Sequence, residues 1–179
     1  MNSSAVNNTH CRIKLCGLRR IRDIDAANEL MPDFIGFVFA KKSKRFISPE
    51  DAQVLKKLLD PRISAVGVFV DEPVDEVSRL LNTDIIDIAQ LHGNENNEYI
   101  RALKALTDKP LIKAFRVGSR ADVENAFSCD ADMLLLDSGS GGTGVFADGR
   151  LSRAAAFISL QSVGCCGPIP AWSAPDRKS

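Results

Sequence analysis

The sequence predicts an α/β protein of the (βα)8 TIM-barrel type, incomplete, with about six βα units recognisable from its pattern. Three observations predict it. Short apolar runs recur along the chain and are continuous rather than alternating, as strands buried on both faces require. Stretches with apolar residues at helical spacing fill the intervals between them. No Gly-x-Gly-x-x-Gly follows the first run, which removes the strongest signal of an open dinucleotide-binding sheet.

The strands are read at Ile13–Cys16, Phe34–Phe39, Ala65–Val70, Ile88–Leu91, Leu111–Phe115 and Met133–Leu136. Between the first two, Ile21, Ile24, Ala27 and Leu30 repeat with the period of a helix. The next helix opens at Ser48-Pro49-Glu50-Asp51 and carries Val54, Leu58 and Leu59. Ser48 can cap it, Pro49 suits the first helical position, and the acids favour the positive end of the dipole. Val74, Val77, Leu80 and Leu81 mark a third helix, and Tyr99, Leu103 and Leu106 a fourth. A fifth runs from Ala121 to Phe127, with Ser119 as its cap. Regular strand–helix alternation implies a parallel sheet with crossover helices. An open doubly wound sheet and a closed barrel both satisfy it, and both put their sites at the strand C-terminal ends. Evenness of the units and the missing nucleotide fingerprint favour the barrel.

Composition narrows the function. The 179 residues suit one domain on the usual scale of roughly 100–200 residues. Basic and acidic residues balance at 23 each, so no polybasic field points to nucleic acid or an anionic membrane. A small-molecule partner is the expectation. Residues 1–10 form a polar tail without the apolar core of a signal peptide. No apolar run nears the roughly 18 residues that span a bilayer. The five cysteines (Cys11, Cys16, Cys129, Cys165, Cys166) lack the spacing of a disulfide framework or a zinc site. A cytoplasmic location with reduced thiols is expected.

The strand ends collect polar residues: Cys16 before Gly17, Lys41 to Arg45, Gln90 and His92 before Gly93, Lys113 and Arg116, and Asp137 before a glycine-rich stretch. On a barrel these would share one rim. Cys16 is read either as a small buried hydrophobe or as a thiolate that removes a carbon-bound proton when cations lie nearby. Asp137 can cap the following turn or, partly desolvated, act as a general acid. Lys41, Lys42 and Lys44 read as a solvated loop, whereas an arginine such as Arg45 can grip a carboxylate with two parallel hydrogen bonds. A lone histidine such as His92 is more often structural than catalytic. Gly139, Gly141, Gly142 and Gly144 can bring backbone amides to an anion or serve as a hinge.

Taken together, these segments form a more specific series. Lys14-Leu15-Cys16-Gly17-Leu18, Ile35-Gly36-Phe37-Val38-Phe39 and Ser43-Lys44-Arg45-Phe46-Ile47-Ser48 come first. Val66-Gly67-Val68-Phe69-Val70, Gln90-Leu91-His92-Gly93, Lys113-Ala114-Phe115-Arg116-Val117 and Leu135-Leu136-Asp137-Ser138 follow, then Gly141-Gly142-Thr143-Gly144. In order and spacing the chain resembles the phosphoribosylanthranilate isomerases of tryptophan biosynthesis, over roughly its first four-fifths. The resemblance implies an aldose–ketose (Amadori) isomerisation of N-(5-phosphoribosyl)anthranilate to 1-(2-carboxyphenylamino)-1-deoxyribulose 5-phosphate. It implies Cys16 as general base and Asp137 as general acid. Arg45 would bind the anthranilate carboxylate, His92 and Arg116 would line the pocket, and Gly141, Gly142 and Thr143 would contact substrate. Neither metal nor organic cofactor is required by such a reaction, and a monomer or homodimer is expected.

The likeness stops after Gly144. The family continues there with Phe-Asp-Trp, where this chain has Phe146-Ala147-Asp148-Gly149. The family's seventh strand, ending in Ala-Gly-Gly-Leu, and its eighth, ending near Ser-Gly-Val-Glu, have no counterpart. Those strand ends hold the substrate phosphate in many barrels. The organisation is therefore read as a tail (1–10), barrel units one to six (11–144) and a divergent segment (145–179). In that segment Leu151–Leu160 is expected to form a helix before an irregular end. A truncation or a reading-frame shift shortly after Gly144 would produce this pattern, and resequencing that region tests it. Two other readings stand beside the isomerase: an inactive remnant without the phosphate site, and another phosphate-binding barrel enzyme such as indole-3-glycerol phosphate synthase or a pentose-phosphate epimerase.

Overall fold

The structure, a computed structural model, describes residues 12–138 and 156–159. Its elements run β1 (Lys14–Cys16), α1 (Ile21–Leu30), β2 (Phe34–Val38), α2 (Pro49–Leu58), β3 (Ser64–Phe69) and α3 (Val74–Asn82). They continue with β4 (Ile88–Leu91), α4 (Asn97–Lys104), β5 (Leu111–Val117), α5 (Arg120–Ala126), β6 (Met133–Ser138) and β7 (Ala156–Ser159). Strands β1 to β6 pair in parallel and in chain order. A doubly wound sheet reverses its strand order at a switch point. This sheet does not, so the six units form an incomplete wall of the TIM-barrel type.

Local capping signals start the helices, those at Ser48 and Ser119 as expected. The Ser48 hydroxyl accepts the Asp51 N–H (3.1 Å) ahead of Pro49, and the Asn96 side chain accepts the Tyr99 N–H (3.0 Å). Ser119 and Asp122 cap α5 reciprocally. The buried faces are set by packing, and here the pattern reading is corrected. In α2 it is Ala52 and Leu55 that are buried, with Leu59 just beyond, while Val54 and Leu58 are exposed. In α4, Ile100 and Leu103 are buried and Leu106 is exposed.

Strand parity sorts the core into two. Outward residues such as Ile35, Phe37, Ala65, Ala89, Leu91 and Leu111 join helix residues in the larger cluster. Phe34, Val66, Ile88, Ile112, Ala114 and Leu135 make a second cluster on the inner face. At the strand N-terminal end, carboxylates accept the first amides of neighbouring strands. Asp33 takes the Ile13 N–H, Asp87 that of Ala65, and Asp132 that of Leu111 (2.7–2.8 Å). These links tie the strand starts together and leave the opposite end for chemistry.

Residues 156–159 depart from expectation. They lie within the stretch read as a helix, yet form β7, antiparallel to β6 with Leu134 opposite Ile158. An edge strand offers a row of unpaired amides and carbonyls, and Ala-Phe-Ile-Ser suits a pleated surface, so pairing there outweighs a weak helical preference. The remainder of 145–179 lies outside the described residues.

Candidate functional site

The register carries the site from strand to strand. Lys14 and Cys16 sit opposite Phe34 and Gly36, Gly36 opposite Val66, and Val68 opposite Gln90. Gln90 then faces Ile112, Ala114 faces Leu135, and Arg116 faces Asp137. All share the parity of the inner apolar cluster. The inner face is therefore apolar at mid-height and polar at the C-terminal ends, where Cys16, Gln90, Arg116 and Asp137 stand.

Two glycines shape the Cys16 corner. A Cβ on Gly36 would stand 2.7 Å from the Cys16 Sγ and 3.1 Å from the Lys14 Cε. Both side chains thus lean over the bare glycine. Gly17 has φ of +90°, a conformation that strains other residues, and a side chain on it would collide with Arg45. Its N–H donates to the Gly36 carbonyl (2.8 Å). Arg45 reaches this corner from the loop after β2, which is closed by Ser43 N–H to Ala40 O, Phe46 N–H to Ser43 O and Ile47 N–H to Val38 O (2.9–3.1 Å). Lys41, Lys42 and Lys44 are exposed, as a solvated loop should be.

A polar chain crosses the mouth. The Lys14 ammonium donates to the Gln90 Oε1, and the Gln90 Nε2 lies 3.2 Å from the His92 Nδ1. The His92 Nε2 stands 3.8 Å from the Asp137 Oδ2. Burial pushes the His92 imidazole below its ordinary range. Asp137 opposes that shift, while Lys113, Arg116 and Lys14 add to it. Burial likewise lowers the Lys14 ammonium, and Cys16 pulls it back.

Lys113 does not share the rim, contrary to the sequence reading. It pairs with Leu134, faces outward and is buried. Its ammonium donates to the Glu95 carboxylate (3.0 Å), the Gly93 carbonyl (2.8 Å) and, longer, the Leu91 carbonyl (3.4 Å). Glu95 in turn accepts the Asp71 and Gly93 N–H groups, both 2.9 Å. This clamp holds the backbone on either side of His92, whose own N–H donates to the Phe69 carbonyl (2.8 Å).

Of the residues predicted from sequence, Cys16, Arg45, His92, Arg116 and Asp137 meet at one end of the sheet. Gly141, Gly142 and Thr143 lie outside the described residues. Sequence reasoning gave no role to Lys14, Gln90 or Glu95. Parity was the usable signal for the first two, since Lys14 is two residues before Cys16 and Gln90 two before His92. Among the described residues no group of three His, Cys, Asp or Glu side chains is arranged to hold a metal ion, and no helix is long and apolar enough to cross a membrane.

Comparison with known proteins finds relatives of one family. A family model described as N-(5'-phosphoribosyl)anthranilate (PRA) isomerase matches residues 13–157. The N-(5'-phosphoribosyl)anthranilate isomerase of Caldanaerobacter subterraneus subsp. tengcongensis is 42% identical over 147 residues, covering 80% of this chain and 70% of that one. The crystal structure of phosphoribosyl anthranilate isomerase from Thermotoga maritima superposes with a TM-score of 0.68 at 33% identity, over 78% of this chain and 67% of that one. A phosphoribosyl anthranilate isomerase in complex with reduced 1-(o-carboxyphenylamino)-1-deoxyribulose 5-phosphate superposes with a TM-score of 0.65 at 34% identity, over 73% and 66% of the two chains. The chain thus spans about two thirds of the length of these relatives. With six parallel βα units in order and the inner-face residues of one rim, it belongs to the phosphoribosylanthranilate isomerase family.

Proposed function

We propose that this chain carries out the isomerisation of N-(5-phosphoribosyl)anthranilate to 1-(2-carboxyphenylamino)-1-deoxyribulose 5-phosphate, a step in tryptophan synthesis. One observation carries the reading: Cys16 ends β1 and Asp137 is the penultimate residue of β6, on the same inward parity, with a cation at each side of the mouth. Asp137 donates a proton to the ribose ring oxygen as the C1–O bond breaks, leaving an open-chain Schiff base. The Cys16 thiolate then takes the proton from C2, and the electron pair moves to form an enolamine. Tautomerisation of the enolamine gives the ketone. The two groups need opposite protonation states at the start of such a reaction. Lys14 and Arg45 stand at the Cys16 corner, and His92 Nε2 lies 3.8 Å from the Asp137 carboxylate.

Arg45 binds the anthranilate carboxylate, and His92 and Arg116 line the pocket. Gly141, Gly142 and Thr143 contact the substrate on this reading. The partner is a phosphorylated small molecule, with neither nucleic acid nor membrane involved, and the chain works in the cytoplasm as a monomer or homodimer. The test is an isomerase assay on the full chain, with phosphoribosylanthranilate generated in situ and its fluorescence loss followed. Turnover abolished by Cys16→Ala and by Asp137→Asn is the expected result. Soluble, folded chain without turnover would overturn the proposal and favour the inactive-remnant reading.

A further inference from the structure

We infer that Gln90, locked by Lys14, is a positioning residue that holds His92 as the Nε2–H tautomer facing Asp137. This role rests on the isomerase reading only for its effect on turnover. The argument is a count of donors and acceptors. An ammonium has three donors and no acceptor, so Lys14 can only engage the oxygen of the Gln90 amide. The amide's other end is then its NH₂ group, a donor only, and it points at the His92 Nδ1 across 3.2 Å. Nδ1 must accept, so the single proton of a neutral imidazole resides on Nε2. Nε2 looks at the Asp137 Oδ2, 3.8 Å away.

The alternatives are each closed by a named neighbour. Gln90 is buried, so water cannot take over from Lys14 at its oxygen. Flipping the amide would set its NH₂ against the ammonium, donor against donor, in a partly buried site. Protonation of both imidazole nitrogens would set Nδ1–H against the same NH₂, and burial together with Lys113, Arg116 and Lys14 outweighs the pull of Asp137 toward that form. The backbone of His92 is fixed independently by the Lys113–Glu95 clamp, so the ring's freedom reduces to its tautomer and rotation. With Nε2–H presented, His92 can donate a hydrogen bond to the carboxylate that Asp137 becomes once its proton has gone to the substrate. The opposite tautomer would present a lone pair to that carboxylate and repel it.

The experiment reads the tautomer without any need for turnover. The chain has two histidines, His10 and His92, so His10→Gln leaves one signal. Two-bond 1H–15N correlation on the 15N-labelled full chain, above the imidazole titration, distinguishes a bare Nδ1 from a bare Nε2. Nδ1 is expected to be bare in the native chain; a protonated Nδ1, or an equal mixture, would overturn the inference. Gln90→Glu replaces the NH₂ with an acceptor and is expected to move the proton to Nδ1, while Lys14→Met frees the amide and is expected to give a mixture. Unchanged spectra from either folded variant would also overturn it. Should neither variant fold, a protonated Nδ1 in the native spectrum still overturns the inference. In an active chain, Gln90→Glu is expected to lower kcat about tenfold or more with little change in KM. A bare Nδ1 in a chain without turnover would leave the positioning role standing and remove the isomerase reading instead.

Discussion

Replacing Glu95 with alanine should destabilise the chain by about 3–5 kcal/mol, because it breaks a buried ion pair from one side. Only 1% of the Glu95 side chain and 6% of the Lys113 side chain are exposed, and their charged atoms are 3.0 Å apart. At such burial the main loss is the ammonium left without its counter-charge. The Gly93 carbonyl at 2.8 Å and the Leu91 carbonyl at 3.4 Å still solvate it, which places the expected loss toward the lower end of that range. The Asp71 and Gly93 amides also lose their acceptor. Asp71 is exposed and regains water, whereas Gly93 is half-buried and adds a fraction of the roughly 1–3 kcal/mol of an unmade bond. Against a total of about 5–15 kcal/mol for a typical domain, this is a large share. Urea unfolding followed by circular dichroism measures it. The double variant Glu95→Leu with Lys113→Met should lose less than Glu95→Ala alone, since no charge is stranded. A loss below about 1 kcal/mol in Glu95→Ala would refute the reasoning, because the pair would then be solvated rather than buried.

Gly36→Ala should slow the isomerase roughly ten- to a hundredfold, since its Cβ, 2.7 Å from the Cys16 Sγ, must push the thiol away by several tenths of an ångström, and steady-state kinetics read the drop in kcat. Arg45→Lys should raise KM at least about tenfold with a smaller effect on kcat, because a lysine cannot make two parallel bonds to a carboxylate; equal KM values would remove the carboxylate-binding role. The lowered His92 proton affinity makes the unfolded chain the stronger proton binder in the interval between the folded value and about 6.5. Stability should therefore fall as pH drops below about 6.5 and level off beneath the folded value. In His92→Gln, denaturant midpoints across that interval should lose this component of the slope.

Much of this protein was legible in one dimension. Continuous apolar runs such as Phe34–Val38 identify strands buried on both faces because a parallel strand covered by helices has no wet side. Ser48-Pro49 and Ser119 announce helix starts because capping is chemistry between residues three apart. Cys16, Arg45, His92, Arg116 and Asp137 could be gathered as strand-end residues because strand C-terminal ends share one rim. The helix faces were less legible: Val54 and Leu55 are neighbours in sequence, and only contact with the sheet decides that Leu55 is the one buried.

Sequence by itself determined the order of the βα units, since strands and helices follow local spacing, and the resemblance of its motif series pointed to the family and to a candidate acid and base. Tertiary structure alone decided three things: that Lys113 turns outward to Glu95, that Lys14 reaches Gln90 from 76 positions away, and that Ala156–Ser159 pairs with β6 as a strand. The physical reason is common to all three. Each depends on which partner lies across a strand edge or a rim, and hydrogen bonds and ion pairs between distant segments leave no period in the sequence that pairs them.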